Sequence, residues 1–158
     1  MSSFLNRAVI AGLSLMLVTA CSSMGGSGSM GGAGASAEVV SELNQAGDRV
    51  FFKFDSSEIG TEARETLGRQ ADFMKKYSDL NFEVAGHCDE RGSAEYNLGL
   101  GERRAFAAKK QLQSLGIEAS RISTQSYGKE RPAVEGHAEE AWSQNRRAET
   151  VIKGSSDN

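Results

Sequence analysis

The sequence predicts an α/β fold, a two-layer α/β (α+β) sandwich in which a four-stranded mixed sheet carries helices on one face in the order βαβαβ(α)β. Three observations predict it. Four short runs rich in β-branched and aromatic residues fall at 50–54, 81–86, 122–127 and 147–153. Segments with helical spacing of apolar residues separate the first three runs, so that two strand-helix-strand units follow one another. Right-handed crossovers in such units stack both helices on the same side of the sheet. The composition, 39% hydrophobic and 25% charged over 158 residues, gives room for one ordinary domain, and one proline with two cysteines leaves no disulfide framework. A membrane barrel does not fit, since even the smallest needs about eight strands of about ten residues.

The amino terminus has the layout of a secretory signal: residues 1–7 carry one positive charge and 8–18 are almost unbroken apolar, too short to span a bilayer as a mature helix. It closes on Val18, Thr19, Ala20 and Cys21, which resemble a bacterial lipobox. That resemblance implies cleavage before Cys21 and its acylation, and Ser22, not being aspartate, implies sorting to the outer membrane. The alternative is an ordinary signal with a nearby cysteine. Two or three acyl chains, at about 0.8 kcal/mol per buried methylene, would anchor the chain durably. Residues 22–36 are nearly all Gly, Ser, Ala and Met, without charge or an apolar face, and read as a flexible tether. It would reach roughly 50 Å stretched and roughly 20 Å on average. The expected organisation is thus a signal at 1–20, lipidated cysteine and tether at 21–37, one domain at 38–153 and a polar tail at 154–158. Formal net charge is -3, and -4 once Arg7 is removed with the signal, too mild to call for nucleic acid or an anionic surface.

Within the domain, residues 37–45 form a short helical lead-in. In the first strand Val50, Phe52 and Phe54 face one way, and Asp55 follows directly. The first long helix, 61–77, buries Ala63, Leu67, Ala71 and Met74, with Thr61 as its cap. The second strand, 81–86, runs into a charged loop and then a helix over 94–115 closed by Gly116. The third strand is 122–127. A polar loop, 128–138, leads to a short helix near 139–144 and the last strand, 147–153.

The stretch from Gly86 to Ala105 organises the rest. It places Asp89 on a strand-to-helix loop and Arg104 in the helix, at the edge of its buried face. Asn97 shares a face with Arg104, beside an apolar stripe of Leu98, Gly101, Ala105, Ala108 and Leu112. A carboxylate and a guanidinium make the least elaborate receptor for a group bearing an ammonium and a carboxylate on one carbon, because the guanidinium fork grips a carboxylate through two parallel bonds. The competing use is structural, with Asp89 and Arg104 bridging each other to brace the loop. Pattern alone favours neither. Asp55 gains support as a site residue because it ends the first strand, expected to neighbour the second.

The same block, with Ser126-Tyr127-Gly128-Lys129-Glu130-Arg131-Pro132-Ala133-Val134 and Asn145-Arg146-Arg147-Ala148, resembles the outer-membrane-protein-A-like (OmpA-like) C-terminal domains, and among them the peptidoglycan-associated lipoproteins, from about residue 50 to 152. The resemblance implies non-covalent binding of the peptidoglycan stem peptide through the free end of its meso-diaminopimelate, with Asp89 and Arg104 as clamp. Phe54, Asp55, Asn97 and Leu100 then lie around the ligand, with Arg91 a further candidate. It also implies a Gram-negative outer-membrane lipoprotein with its domain in the periplasm, within the Tol-Pal system of envelope integrity and cell division. The implied partners are the Tol propeller protein TolB and, second, the energised Tol subunit TolA.

Cys88 departs from the small alanine or threonine expected there; it reads as a tolerated small side chain, the alternative being an exposed thiol that is capped or cross-links two copies. Gly86 and Gly92 read as turn positions, while Gly99 and Gly101 answer to the close approach of a ligand or of a strand. Arg103, Lys109 and Lys110 read as a solvated helix face, and Arg146 and Arg147 as pins for the last strand, the alternative being contact with sugars or a partner. No cofactor or metal is called for. His87, Cys88 and Asp89 alternate in direction along a strand and cannot readily converge on one ion, and no nucleophile elbow or dinucleotide fingerprint occurs. The pattern allows binding and not turnover. The alternatives are a wall-active, metal-dependent amidase using His87, Asp89 and His137, and a stator-type wall anchor.

Overall fold

The computed structural model describes residues 35–155; the expected signal, the lipidated Cys21, all but the last residues of the tether and residues 156–158 lie outside them. Ser36 caps helix α1, Ala37–Ala46, by accepting a hydrogen bond from Val39 N. Strand β1, Arg49–Phe51, is followed by helix α2, Thr61–Lys76, and strand β2, Leu80–His87. Helix α3, Ala94–Ser114, leads through a short 3-10 turn to β3, Ile122–Gly128; helix α4, Glu139–Asn145, and strand β4, Arg147–Ser155, complete the domain.

The sheet order is β1-β4-β2-β3. Strands β2 and β3 are parallel, joined by the α3 crossover, and β4 runs antiparallel to both β1 and β2. The sheet is therefore mixed and four-stranded, as expected. The expected adjacency of the first two strands is not found: β4 inserts between them, pairing Val50 with Ala148 and Val84 with Thr150. The core face of β2 offers Leu80, Phe82 and Val84 to Leu67 and Met74 of α2 and to Ala105, Ala108 and Leu112 of α3. Full burial of a side chain of the Leu, Phe or Met class stabilises by about 1.5–3 kcal/mol, so this layer is what holds the two helices to the sheet.

Several boundaries differ for local reasons. Strand β1 stops at Phe51, and although Val50 and Phe52 are buried, Phe54 lies beyond the strand and is 59% exposed. Gly60, not Thr61, is the N-cap of α2, and no side chain caps that end. Leu98 falls off the α3 stripe and is exposed, whereas Arg104 belongs to the buried face itself, at 1% exposure. Strand β4 continues through Gly154 and Ser155, two residues into the expected tail. Gly86 is not a turn residue: it sits inside β2, where a Cβ would overlap the backbone carbonyl of Gly101. A Cβ on Gly101 would in turn overlap Ser126 Oγ, so both glycines serve the close approach of α3 to the sheet, and no ligand is involved. Gly92 does have φ +93, in the left-handed region expected of it.

Candidate functional site

The cavity that matters forms where three segments meet: the turn after β1, the loop between β2 and α3, and the first turns of α3. The register against β3 shifts between Gly86 and His87, and Cys88 N then donates to Gly128 O at 2.8 Å. Ser93 caps α3 by accepting from Tyr96 N at 3.1 Å. Asn97 Nδ2 donates to Arg91 O at 2.8 Å and to Ser93 O at 3.1 Å, so the loop is laced to the helix by its own backbone.

Arg104 completes the frame. Its Nε donates to Ser56 O at 2.9 Å, Nη1 to His87 O at 2.8 Å and Nη2 to Lys53 O at 3.1 Å. One guanidinium thereby ties the turn after β1 to the end of β2. Burial draws this group below its ordinary value, yet an arginine stays charged throughout the working range. These carbonyls do not use all of its N–H groups, and the remainder can meet a ligand carboxylate.

Asp89 is 4% exposed and is held by two other arginines. Arg91 grips it with Nε at 3.1 Å and Nη2 at 2.6 Å, while Arg146 Nη1 stands 3.5 Å away. Burial pushes the Asp89 carboxyl up, but the bonds from the Arg91 guanidinium and backbone N–H, with Arg146 behind them, outweigh it and hold the group below the usual carboxylate range. Asp89 pairs with Arg91 and Arg146, so the competing structural use, a bridge from Asp89 to Arg104, is not made. Arg91 is itself sandwiched, 4.0 Å from the Phe54 ring centre and 4.1 Å from that of Trp142. Behind this lie two further ties: Glu90 accepts from Trp142 Nε1 at 2.9 Å and pairs with His137, and Arg146 bridges Glu139 and Phe52 O.

All seven residues proposed from the sequence, Phe54, Asp55, Asp89, Arg91, Asn97, Leu100 and Arg104, line one cavity of about 170 Å³, together with Cys88, Gly92 and Tyr96. A cavity of about 150 Å³ holds benzene, so this one has room for the end of a side chain. Asp55 sits at its mouth with φ 51, a left-handed conformation that a short polar side chain tolerates, and accepts from the Tyr96 hydroxyl.

Three participants were not read from the sequence. Tyr96 orients Asp55, and its place beside Asn97 in the first turn of α3 was a usable signal. Trp142 stacks on Arg91; it is the single tryptophan of the chain, and that was the signal available for it. Cys88 lines the wall but is 3% exposed, donates from Sγ to Asn97 O at 3.3 Å, and burial pushes its thiol up. The exposed, cross-linking thiol is thereby corrected to a buried, protonated one. His87, Asp89 and His137, the set an amidase would use, are dispersed: His87 stacks on Tyr127 with 5.4 Å between centroids, Asp89 lines the cavity, and His137 is exposed on the loop before α4. Among the described residues no group of three His, Cys, Asp or Glu side chains is placed to hold a metal ion.

A family profile described as the OmpA family matches residues 51–147. The chain belongs to the OmpA family. The peptidoglycan-associated lipoprotein of Brucella melitensis is 49% identical over 108 residues, 68% of this chain and 64% of that protein, so the chain spans just under two thirds of that relative's length. The peptidoglycan-associated lipoprotein of Haemophilus influenzae is 39% identical over 150 residues, 94% of this chain and 97% of that one. Among solved structures, the peptidoglycan-associated lipoprotein from Burkholderia pseudomallei superposes with a TM-score of 0.66 at 38% identity, over 68% of this chain and 92% of that chain. The C-terminal domain of Helicobacter pylori MotB, with a TM-score of 0.63 and 22% identity over 69% of this chain and 86% of that chain, shares the fold. Among the described residues no helix is long and apolar enough to cross a membrane.

Proposed function

We propose that this domain binds peptidoglycan non-covalently, taking the free end of the stem-peptide meso-diaminopimelate into the Asp89–Arg104 cavity. Through Cys21 and the tether it staples the outer membrane to the wall within the Tol-Pal system, with TolB and TolA as partners. The observation that carries the reading is that two carboxylates, Asp55 and Asp89, and two guanidinium groups, Arg91 and Arg104, line one cavity sized for the end of a single side chain. The amino-acid terminus offers the complementary charges. Its ammonium goes to the carboxylates, where it displaces Arg91 from Asp89. Its carboxylate goes to the N–H groups of Arg104 left over from the backbone, with the displaced Arg91 as second donor. A relative's name, peptidoglycan-associated lipoprotein, points to the same polymer.

The test is a calorimetric titration with two muropeptides, one carrying diaminopimelate and one carrying lysine at the same place, which lacks the terminal carboxylate. Wild type should prefer the former by about tenfold or more, the worth of a charge-assisted contact, and Asp89→Asn should lose most of that binding while its circular dichroism stays that of a folded chain. Equal affinity for the two muropeptides, or an Asp89→Asn variant binding like wild type, rejects the assignment.

A further inference from the structure

Helix α3 carries on its outward side a line of residues that the core does not explain. Tyr96, Gly99, Arg103, Phe106 and Lys110 recur at intervals of three and four and so stand one above another, on the side away from buried Asn97, Gly101, Arg104 and Ala108. The centre of a solvated face is ordinarily polar, yet Tyr96 is 48% and Phe106 50% exposed. Each ring carries a cation: the Arg103 guanidinium lies 5.8 Å from the Tyr96 centroid and the Lys110 ammonium 5.4 Å from that of Phe106. The line begins at the cavity, because Tyr96 is part of its wall.

We propose that this line is the path by which the rest of the same ligand leaves the cavity, Arg103 taking the free carboxylate of the stem glutamate and Phe106, with Lys110 beside it, taking the face of the wall sugar. The proposal rests on the diaminopimelate reading of the cavity. Lengths agree with it. At 1.5 Å of rise per residue Phe106 lies about 15 Å beyond Tyr96. Three extended residues cover about 10 Å, and the γ-linked glutamate and long diaminopimelate add to that, which brings the sugar level with Phe106. Arg103 reaches back towards the helix N-terminus, as helical side chains do, and that sets its guanidinium beside Tyr96 near the cavity mouth. Charge agrees with this direction locally: Arg103 and Lys110 stand on the line itself, although Glu95 and Glu102 flank it, while the other side of the cavity presents Glu90 and Glu139, paired with His137 and Arg146. An aromatic face flanked by a cation suits a pyranose ring, whose C–H face is apolar and whose rim is polar.

The test uses the full chain in detergent and two probes, the free tripeptide Ala-γ-Glu-diaminopimelate and the disaccharide-tripeptide. Wild type should bind the disaccharide form about fivefold tighter than the tripeptide, and Phe106→Ala should erase that gain while leaving tripeptide affinity unchanged. Arg103→Gln should weaken both probes, and amidating the glutamate carboxylate should remove the difference between Arg103→Gln and wild type. A wild type indifferent to the sugar, or a Phe106→Ala variant that keeps the full preference, overturns the inference while leaving the cavity assignment standing. Failure of wild type to bind either probe removes the cavity assignment and this inference together.

Discussion

The two walls of the cavity are built from different bonds. The α3 wall is fixed to backbone: Arg104 donates to three carbonyls from two segments, and Asn97 to two more. The opposite wall, from the 89–92 loop to α4, is held by side chains: Arg91 on Asp89 between two rings, Glu90 between His137 and Trp142, Arg146 between Asp89 and Glu139. Backbone carbonyls keep their charge and place at any pH and salt. Of the ion pairs in the second wall, those that reach the surface, Glu90 with His137 and Arg146 with Glu139, are screened and titrate. The first wall therefore belongs to the fold and the second to the adjustment of binding, and damage to the two should register in different measurements.

The largest effect falls on the first wall. Arg104→Ala leaves the buried His87 carbonyl without its donor, a loss of about 1–3 kcal/mol, and the part-buried Lys53 and Ser56 carbonyls at a smaller loss each, and the variant should melt at least about 10 °C lower, with binding lost because the frame is lost. A differential scanning trace checks it. An Arg104→Ala variant that melts like wild type but does not bind would make Arg104 purely a ligand contact and erase the distinction between the walls.

That distinction was only half legible in the sequence. The buried stripe of α2 and the strand-loop-helix block could be read because periodicity and charge are local properties, and the seven site residues followed from the chemistry of the receptor and the family resemblance. Sheet order was not legible: the insertion of β4 between β1 and β2 is decided by pairing across the whole domain, with Val84 opposite Thr150. Nor was the depth of Arg104. A charged residue at a helical core position reads as marginal until its donors are seen to meet Lys53, Ser56 and His87 carbonyls, none of which carries a side-chain signature. The alternation put Phe54 on one strand face with Val50 and Phe52, and only the resemblance put it beside the ligand; the strand ends first, and the ring is left free to stack on Arg91. Trp142 escaped because its partner, Arg91, is fifty-one positions away.

On the second wall the expected effect is intermediate. Trp142→Ala removes one of the two rings holding Arg91 and the donor to Glu90 Oε1. Stability should fall by about 1 kcal/mol. Affinity for the diaminopimelate muropeptide should fall about threefold, because Arg91, once displaced from Asp89, no longer has the Trp142 ring to hold it within reach of the ligand carboxylate. Titrations at about 0.05 M and about 0.5 M salt should show the loss growing with ionic strength, as expected once Arg91 depends more on its ion pair with Asp89 and keeps only the Phe54 ring. Affinity unchanged at both salts would mean that Asp89 and Phe54 position Arg91 without help.

The smallest effects separate the walls by sign, because each has its own histidine. His87, at the end of β2 where its carbonyl receives Arg104, is pushed down to about 4 from 6.5, first by burial and then by the charge of Arg147, and its Nδ1 has no hydrogen-bond partner. Its folded value lies below its unfolded one, so the unfolded chain takes the proton first. Stability is therefore lost as pH falls from about 6.5 towards 4, to a total of about 3 kcal/mol. His137 is raised from 6.5 by its hydrogen bond to Glu90, so its contribution is present below the unfolded value and is lost as pH rises through the folded one; being fully exposed, it is the weaker of the two. Melting temperature measured against pH for wild type, His87→Phe and His137→Ala reads both. Replacing His87 should flatten the fall between pH 6.5 and 4, whereas replacing His137 should leave that fall alone and remove a small loss of stability above pH 6.5. If the His137→Ala curve instead parallels wild type, Glu90 gains nothing from the imidazolium in solution, and the second wall stands on Trp142 and Arg146 alone.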